Sequence, residues 1–158
     1  MKEDLVEQLH KNHPHLFKRT DVEMEGSRMP YTMFGIECGD GWFNILDTLF
    51  DCIESDVNQA AQSLQWRTED KNTPKEKLIE AQEKFDAAIA ELPTIHQIKE
   101  KFGSLRFYYG GNRDNIEPYV HFAEALSGRT CEQCGNPGKS RGGGWIHVSC
   151  DPCEAVRK

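Results

Sequence analysis

Cys131-Glu-Gln-Cys-Gly-Asn-Pro-Gly-Lys-Ser-Arg-Gly-Gly-Gly-Trp-Ile-His-Val-Ser-Cys-Asp-Pro-Cys153 holds two C-x2-C pairs separated by fifteen residues. Two intervening residues let both sulfurs of a pair reach one ion from a tight turn. Four thiolates so placed can surround a Zn²⁺ tetrahedrally, at about 2.3 Å each, and the spacer falls within the range of four-cysteine zinc sites. Gly135, directly after Cys134, supplies the permissive backbone such a turn needs. A pair of disulfides, or four unrelated thiols, fits the spacing less well. The metal ligands expected are therefore Cys131, Cys134, Cys150 and Cys153, holding one structural zinc. A set of four cysteines is closed and leaves no open position for a reacting water. It suits a clasp for a tail too small to fold alone.

The remainder of the chain must then supply any activity. Its 158 residues, 37% hydrophobic and 28% charged, suit one soluble domain with a small appendage. No apolar run approaches the ~20 residues of a bilayer span, and the first residues, Met-Lys-Glu-Asp-Leu, lack a secretory stretch. A cytoplasmic setting with no membrane association is expected, and in a reducing compartment C-x2-C pairs bind metal rather than pair as disulfides. The net charge of −7 is uneven: residues 1–98 carry 19 Asp/Glu against 10 Lys/Arg, and residues 99–158 carry 7 against 9. An acidic first portion disfavours general nucleic-acid coating, which depends on neutralising phosphates.

Working back towards the N-terminus, the periodicity predicts an α+β fold: a helical hairpin packed on a small antiparallel β-sheet, with a C-terminal zinc ribbon. The body spans 1–129 and the ribbon 130–158. Residues 3–12 read as a short helix ended by Pro14, and Phe17–Met33 as a loop with one edge strand; Tyr31–Ile36 has strand-like composition. Asp40 is expected to cap a long helix, 41–66, whose stripe includes Trp42, Leu46, Leu49, Ile53 and Val57. A second helix, 74–92, starts with Thr73 as cap and Pro74 in its first position. A β-hairpin over 95–109 turns near Gly103-Ser104, with Leu105, Phe107 and Tyr109 facing inward and Ser104, Arg106 and Tyr108 outward. A last helix, 115–127, buries Tyr119, Phe122, Ala123 and Leu126, and Trp145, Ile146 and Val148 pack the ribbon on the body.

Several constellations could bind something. Lys99, Lys101, Arg106 and Arg113 surround Tyr108, and Gly110-Gly111 precedes a helix N-terminus; cations with a stacking ring suit a nucleotide or single-stranded nucleic acid. Lys139 and Arg141 lie in a glycine-rich loop that could touch phosphates. Asp47, Asp51 and Glu54 recur at helical spacing with Asp40 one turn away, which reads as a solvated acidic face or, with a second ion, as a metal-dependent enzyme site using Asp40, Asp47 and Asp51. His10, His13 and His15 crowd Pro14 and read as turn residues. Cys38 precedes a helix N-terminus, where a thiolate gains stability. No nucleophile elbow, H-E-x-x-H or deaminase signature is present, so no enzyme is expected.

Gly39-Asp-Gly-Trp42, Lys101-Phe-Gly-Ser-Leu-Arg-Phe-Tyr108 and Cys131-Glu-Gln-Cys-Gly-Asn-Pro-Gly138 together resemble small phage- and prophage-encoded proteins of unknown function with a Lys-Phe-Gly-x-Leu-Arg-Phe-Tyr core and a four-cysteine ribbon. The resemblance covers roughly residues 35–153 and implies a layout and a bacterial host cytoplasm, not a reaction. The leading expectation is a non-enzymatic accessory protein that binds a host or defence-system protein. The alternative is the nucleotide-binding or nucleic-acid-binding module around Arg106, Tyr108 and Gly110-Gly111.

Overall fold

The structure is a computed structural model that describes residues 1–111 and 115–157. It is α+β, and its helices carry most of the chain. In order they are α1 (Glu3–Asn12), α2 (Pro14–Met24), α3 (Pro30–Phe34), α4 (Phe43–Glu69), α5 (Lys75–Glu91), α6 (Glu117–Ser127) and α7 (Asp151–Ala155). The strands are β1 (Ile36–Glu37), β2 (Thr94–Lys101), β3 (Ser104–Gly110), β4 (Lys139–Arg141) and β5 (His147–Ser149). The first sheet has the order β1-β2-β3, and a separate pair, β4-β5, lies between the two cysteine pairs.

The expected hairpin forms with β2 and β3 antiparallel, but β1 joins β2 in parallel, so the sheet is mixed. The turn falls one residue earlier than expected, on Phe102-Gly103, both with positive φ. That is the chirality a two-residue loop needs to match strand twist. The alternation is as anticipated: Leu105 and Phe107 are buried while Tyr108 is exposed. The outer edge of β3 is not left bare. Leu105 N–H donates to Ser127 Oγ (2.7 Å) and Phe107 N–H to Glu124 Oε1 (3.1 Å), so α6 side chains take the place of a fourth strand.

Four expectations need correction. Pro14 does not lead into a loop: it opens α2, because proline's missing N–H costs nothing in a first helical turn. Leu16, Phe17 and Thr20 of α2 are buried, and Thr20 Oγ1 accepts the amide of Ile95. Tyr31–Phe34 is helical rather than extended. Asp40 does not cap the long helix. It sits in a 3-10 turn, Asp40–Trp42, and accepts from the Lys2 amide and ammonium instead.

The fourth concerns the acidic line on α4. Glu54 is fully buried and accepts the amide of Leu16, and Asp47 accepts from Asn12 and from the buried His13. Only Asp51 is substantially in solvent (side chain 70% exposed). The face is thus the seat of the α1–α2 corner. Trp42, Leu46, Leu49, Phe50, Ile53 and Val57 of the α4 stripe form the centre of the core, with Phe50 stacked edge-on to Phe17 and near Phe107. At about 25 cal/mol per Å², each of these burials is worth about 1.5–3 kcal/mol.

Candidate metal centre

The four sulfurs of Cys131, Cys134, Cys150 and Cys153 all lie within 4.8 Å of one another. Cys134 and Cys150 are 3.6 Å apart. A regular tetrahedron with 2.3 Å metal–sulfur bonds has edges of about 3.8 Å, so the observed set could close on one metal ion with small adjustment. All four cysteines are free thiols. No other group of three or more potential ligands converges among the described residues, so the alternative acidic set of Asp40, Asp47 and Asp51 is not assembled as a second ion site.

The protonation of the set is uneven. Burial pushes the Cys131 thiol up, but backbone amides of Cys150, Cys134 and Gln133 donate to its sulfur, and the balance brings it down to about 6. Cys153 goes the other way, to about 12, chiefly through hydrogen bonds with the Cys150 and Cys134 thiols. Four sulfurs in this space cannot all be thiolates without a cation to offset them.

The first cysteine knuckle is locked into the body by a motif whose role was not visible in the sequence. Gly41 N–H donates to the Glu132 carbonyl (2.8 Å) and Gly39 N–H to Glu132 Oε1 (2.9 Å). The indole of Trp42, with no exposed surface, donates to the Thr130 carbonyl (2.9 Å). The approach is so close that a β-carbon at Gly41 would collide with the Cys131 carbonyl and the Gly135 amide, and would stand 2.7 Å from the Cys134 amide. One at Gly39 would stand 2.8 Å from Glu132 Cγ. Gly39-Asp-Gly-Trp42 is therefore a socket for the knuckle, and its glycines are present because backbone meets backbone.

The β2–β3 turn completes the contact. A β-carbon at Gly103 would be 3.2 Å from Ile146 Cγ2, and Glu100 Oε1 accepts the Gly103 amide (2.6 Å). The body thus holds the module at two places, Gly39–Trp42 on its first knuckle and the β2–β3 turn on Ile146 and His147. The module's own packing is narrower than expected. Val148 is buried and Ile146, 42% exposed, meets the β2–β3 turn with one methyl, while Trp145 (70% exposed) faces solvent. His147 and Ser149 are buried and share Glu154 Oε2, at 2.8 and 2.6 Å.

The basic residues are mostly engaged. Arg106 donates to Ser104 Oγ and the Leu105 carbonyl and lies 3.8 Å from Glu124. Arg141 donates to the Ser149 carbonyl and pairs with Asp151, which also holds Lys139 at 3.0 Å. Lys99 sits over the Tyr108 ring at 5.5 Å, and Lys101 over Phe102 at 5.4 Å. Gly110 is crowded by His96, 2.7 Å from where its β-carbon would be, and Gly111 has φ +100°; Arg113 lies outside the described residues. Cys38 is buried, and burial pushes its thiol to about 12, which removes the thiolate that reactivity requires.

The surface that sequence reasoning missed is on α6. Val120, Ala123 and Ser127 face the sheet, but Tyr119 (44% exposed), Phe122 (70%) and Leu126 (41%), expected in the core, face outward. The helix is apolar on two sides, and periodicity alone does not say which side meets the sheet.

Fold and site together define an α+β protein with a four-cysteine cluster able to hold one metal ion, clasped to its body by a glycine socket. No protein-family model matches the chain, and neither the curated proteins nor the solved structures contain a match.

Proposed function

We propose that the four cysteines hold a single structural Zn²⁺ and that the chain is a non-enzymatic binding protein whose target is another protein. The observation that carries this reading is the outward row Tyr119, Phe122 and Leu126 on an otherwise well-packed helix. Apolar side chains gathered on one exposed face mark a binding surface more often than chance. The metal argument is independent: four thiolate donors at tetrahedral separations suit zinc as a closed site, and the centre's backbone contacts make it part of the fold.

In keeping with the resemblance to phage-encoded proteins, the target on this reading is a host or defence-system protein in a bacterial cytoplasm. A second reading, nucleotide or single-strand binding, retains one specific support. Tyr108 is 44% exposed with Lys99 beside its ring, an arrangement on which a base could stack. Affinity capture from expressing cells, with mass spectrometry of co-purifying proteins and nucleotides, separates the two. A protein lost with Phe122→Asp and kept with Tyr108→Ala supports the first; a nucleotide lost with Tyr108→Ala supports the second. Elemental analysis should give one zinc per chain.

A further inference from the structure

Beside the exposed row of α6 runs a trough. Its first section, about 330 Å³, is floored by Ile45, Leu49 and Cys52 of α4 and walled by Tyr119, Phe122 and Leu126, with Gly41 and Gly135 of the metal knuckle at one end. A second section, about 470 Å³, continues along α4 past Val57 to the end of α5, where Asp56 and Glu91 line it. The two share Cys52 and Tyr119, so they form one channel. From Asn44 to Val57 the channel follows more than three turns of α4, about 20 Å at 1.5 Å per residue.

Charge selects the occupant. The charged side chains lining the channel are two carboxylates, Asp56 of α4 and Glu91 of α5, both in its second section. No Lys or Arg is among the described residues lining either section. An apolar floor whose charged lining is carboxylate alone draws positive groups and rejects negative ones. A helix of about fifteen residues fits the length. A helix presenting apolar side chains at i, i+3, i+4 and i+7 can interlock with Tyr119, Phe122 and Leu126, which have helical spacing themselves.

We infer that the channel between α4 and α6 is the docking groove for a basic amphipathic helix of a partner protein, its apolar face against Phe122 and its Lys/Arg residues towards Asp56 and Glu91. The inference rests on the protein-binding reading above and specifies its surface and chemistry. It also gives the otherwise exposed α6 row a reason to be apolar, since burial on docking recovers its hydrophobic free energy.

The test uses the zinc-loaded full chain and labelled peptides of about sixteen residues, followed by fluorescence anisotropy. A Leu/Lys peptide with an amphipathic pattern should bind with a Kd on the order of 10 µM. A Leu/Glu peptide of the same pattern and a scrambled Leu/Lys peptide should each bind at least tenfold more weakly. Phe122→Asp should weaken the first peptide at least tenfold, and Tyr108→Ala should leave it unchanged. Metal content and circular dichroism of Phe122→Asp confirm its fold, which is expected intact because the ring is largely in solvent. Equal binding of the Leu/Glu peptide, or unchanged binding by Phe122→Asp, overturns the inference. Sedimentation showing a dimer that Phe122→Asp dissociates also overturns it, since the occupant is then a second copy. A cellular protein partner that survives Phe122→Asp refutes this groove while leaving the protein-binding reading standing; capture of nucleotides alone refutes that reading itself.

Discussion

The two halves of α4 are continuous in the chain and opposite in character. Residues 43–57 contain every buried residue of the helix, and the turn before them is pinned to the metal knuckle. Residues 58–69 contain none, and the α5 helix beside them buries only Ala81, with Trp66 and Ile79 more than half exposed. One half is packed into the core behind a turn whose glycines tolerate no added atom; the other is held by helix propensity and a shared, partly apolar seam. Large apolar residues crowd 43–57 and thin out after Val57, so the apolar pattern divides the helix, and the backbone contacts of the turn before it fix how the packed half is seated.

Perturbations should therefore act very unequally along α4. The largest effect is expected from Cys131→Ser or chelation, because a structural zinc contributes on the order of 10 kcal/mol to the fold it organises. The C-terminal module should unfold and uncover Trp42. Tryptophan emission should then shift to the red, since Trp66 and Trp145 are already exposed. Gly41→Ala comes next. Its methyl meets backbone and no flexible side-chain tip, so a loss of about 3 kcal/mol is expected in urea unfolding, with weakened metal retention. A loss below about 0.5 kcal/mol would mean the socket is not tight. Trp42→Phe, which deletes the donor to the Thr130 carbonyl while keeping most of the ring burial, should cost about 1–2 kcal/mol.

Glu54→Gln should act in the opposite direction. Burial holds the Glu54 carboxyl above the ordinary glutamate range, against the pull of the Leu16 amide and of His13 and His15. Folding thus favours the protonated form. Its contribution is full below the unfolded pKa and is lost as pH rises through the folded one. Glutamine keeps an acceptor for Leu16 and carries no charge. The variant should gain about 1 kcal/mol near pH 7, about 2–4 °C in melting temperature, with the gain vanishing near pH 4. The smallest effect is assigned to the far half: Trp66→Ala should stay within about 0.5 kcal/mol of the parent. A large loss there would show that the projecting pair of helices carries a contact of its own.

The cysteine set, the two long helices and the β2–β3 hairpin were legible because each is written in short-range spacing: C-x2-C, i/i+3/i+4, and alternation. The α2 helix was not, because Pro14 carries the same letter whether it ends one helix or begins another. Glu54 was missed because an acidic row at helical spacing looks solvated until α2 is seen to lie on it. The Gly39/Gly41 socket was hidden for a different reason. Gly39 and Glu132 are 93 residues apart, and no local pattern records such a meeting. The α6 row was misplaced because both of its faces are apolar, and only the sheet's position decides between them.

The distance spanned by that socket has a kinetic consequence. A cysteine knuckle can gather its ion from residues close in sequence, on the fast timescale of short-loop closure. Its seat on Gly39–Trp42 must wait until α4, α5 and the β2–β3 hairpin have brought distant chain together, and such long-range closure is slow. The metal should therefore bind early and dock late. Refolding over a series of saturating zinc concentrations should show ion uptake, followed by a slower burial of Trp42 whose rate is the same across the series.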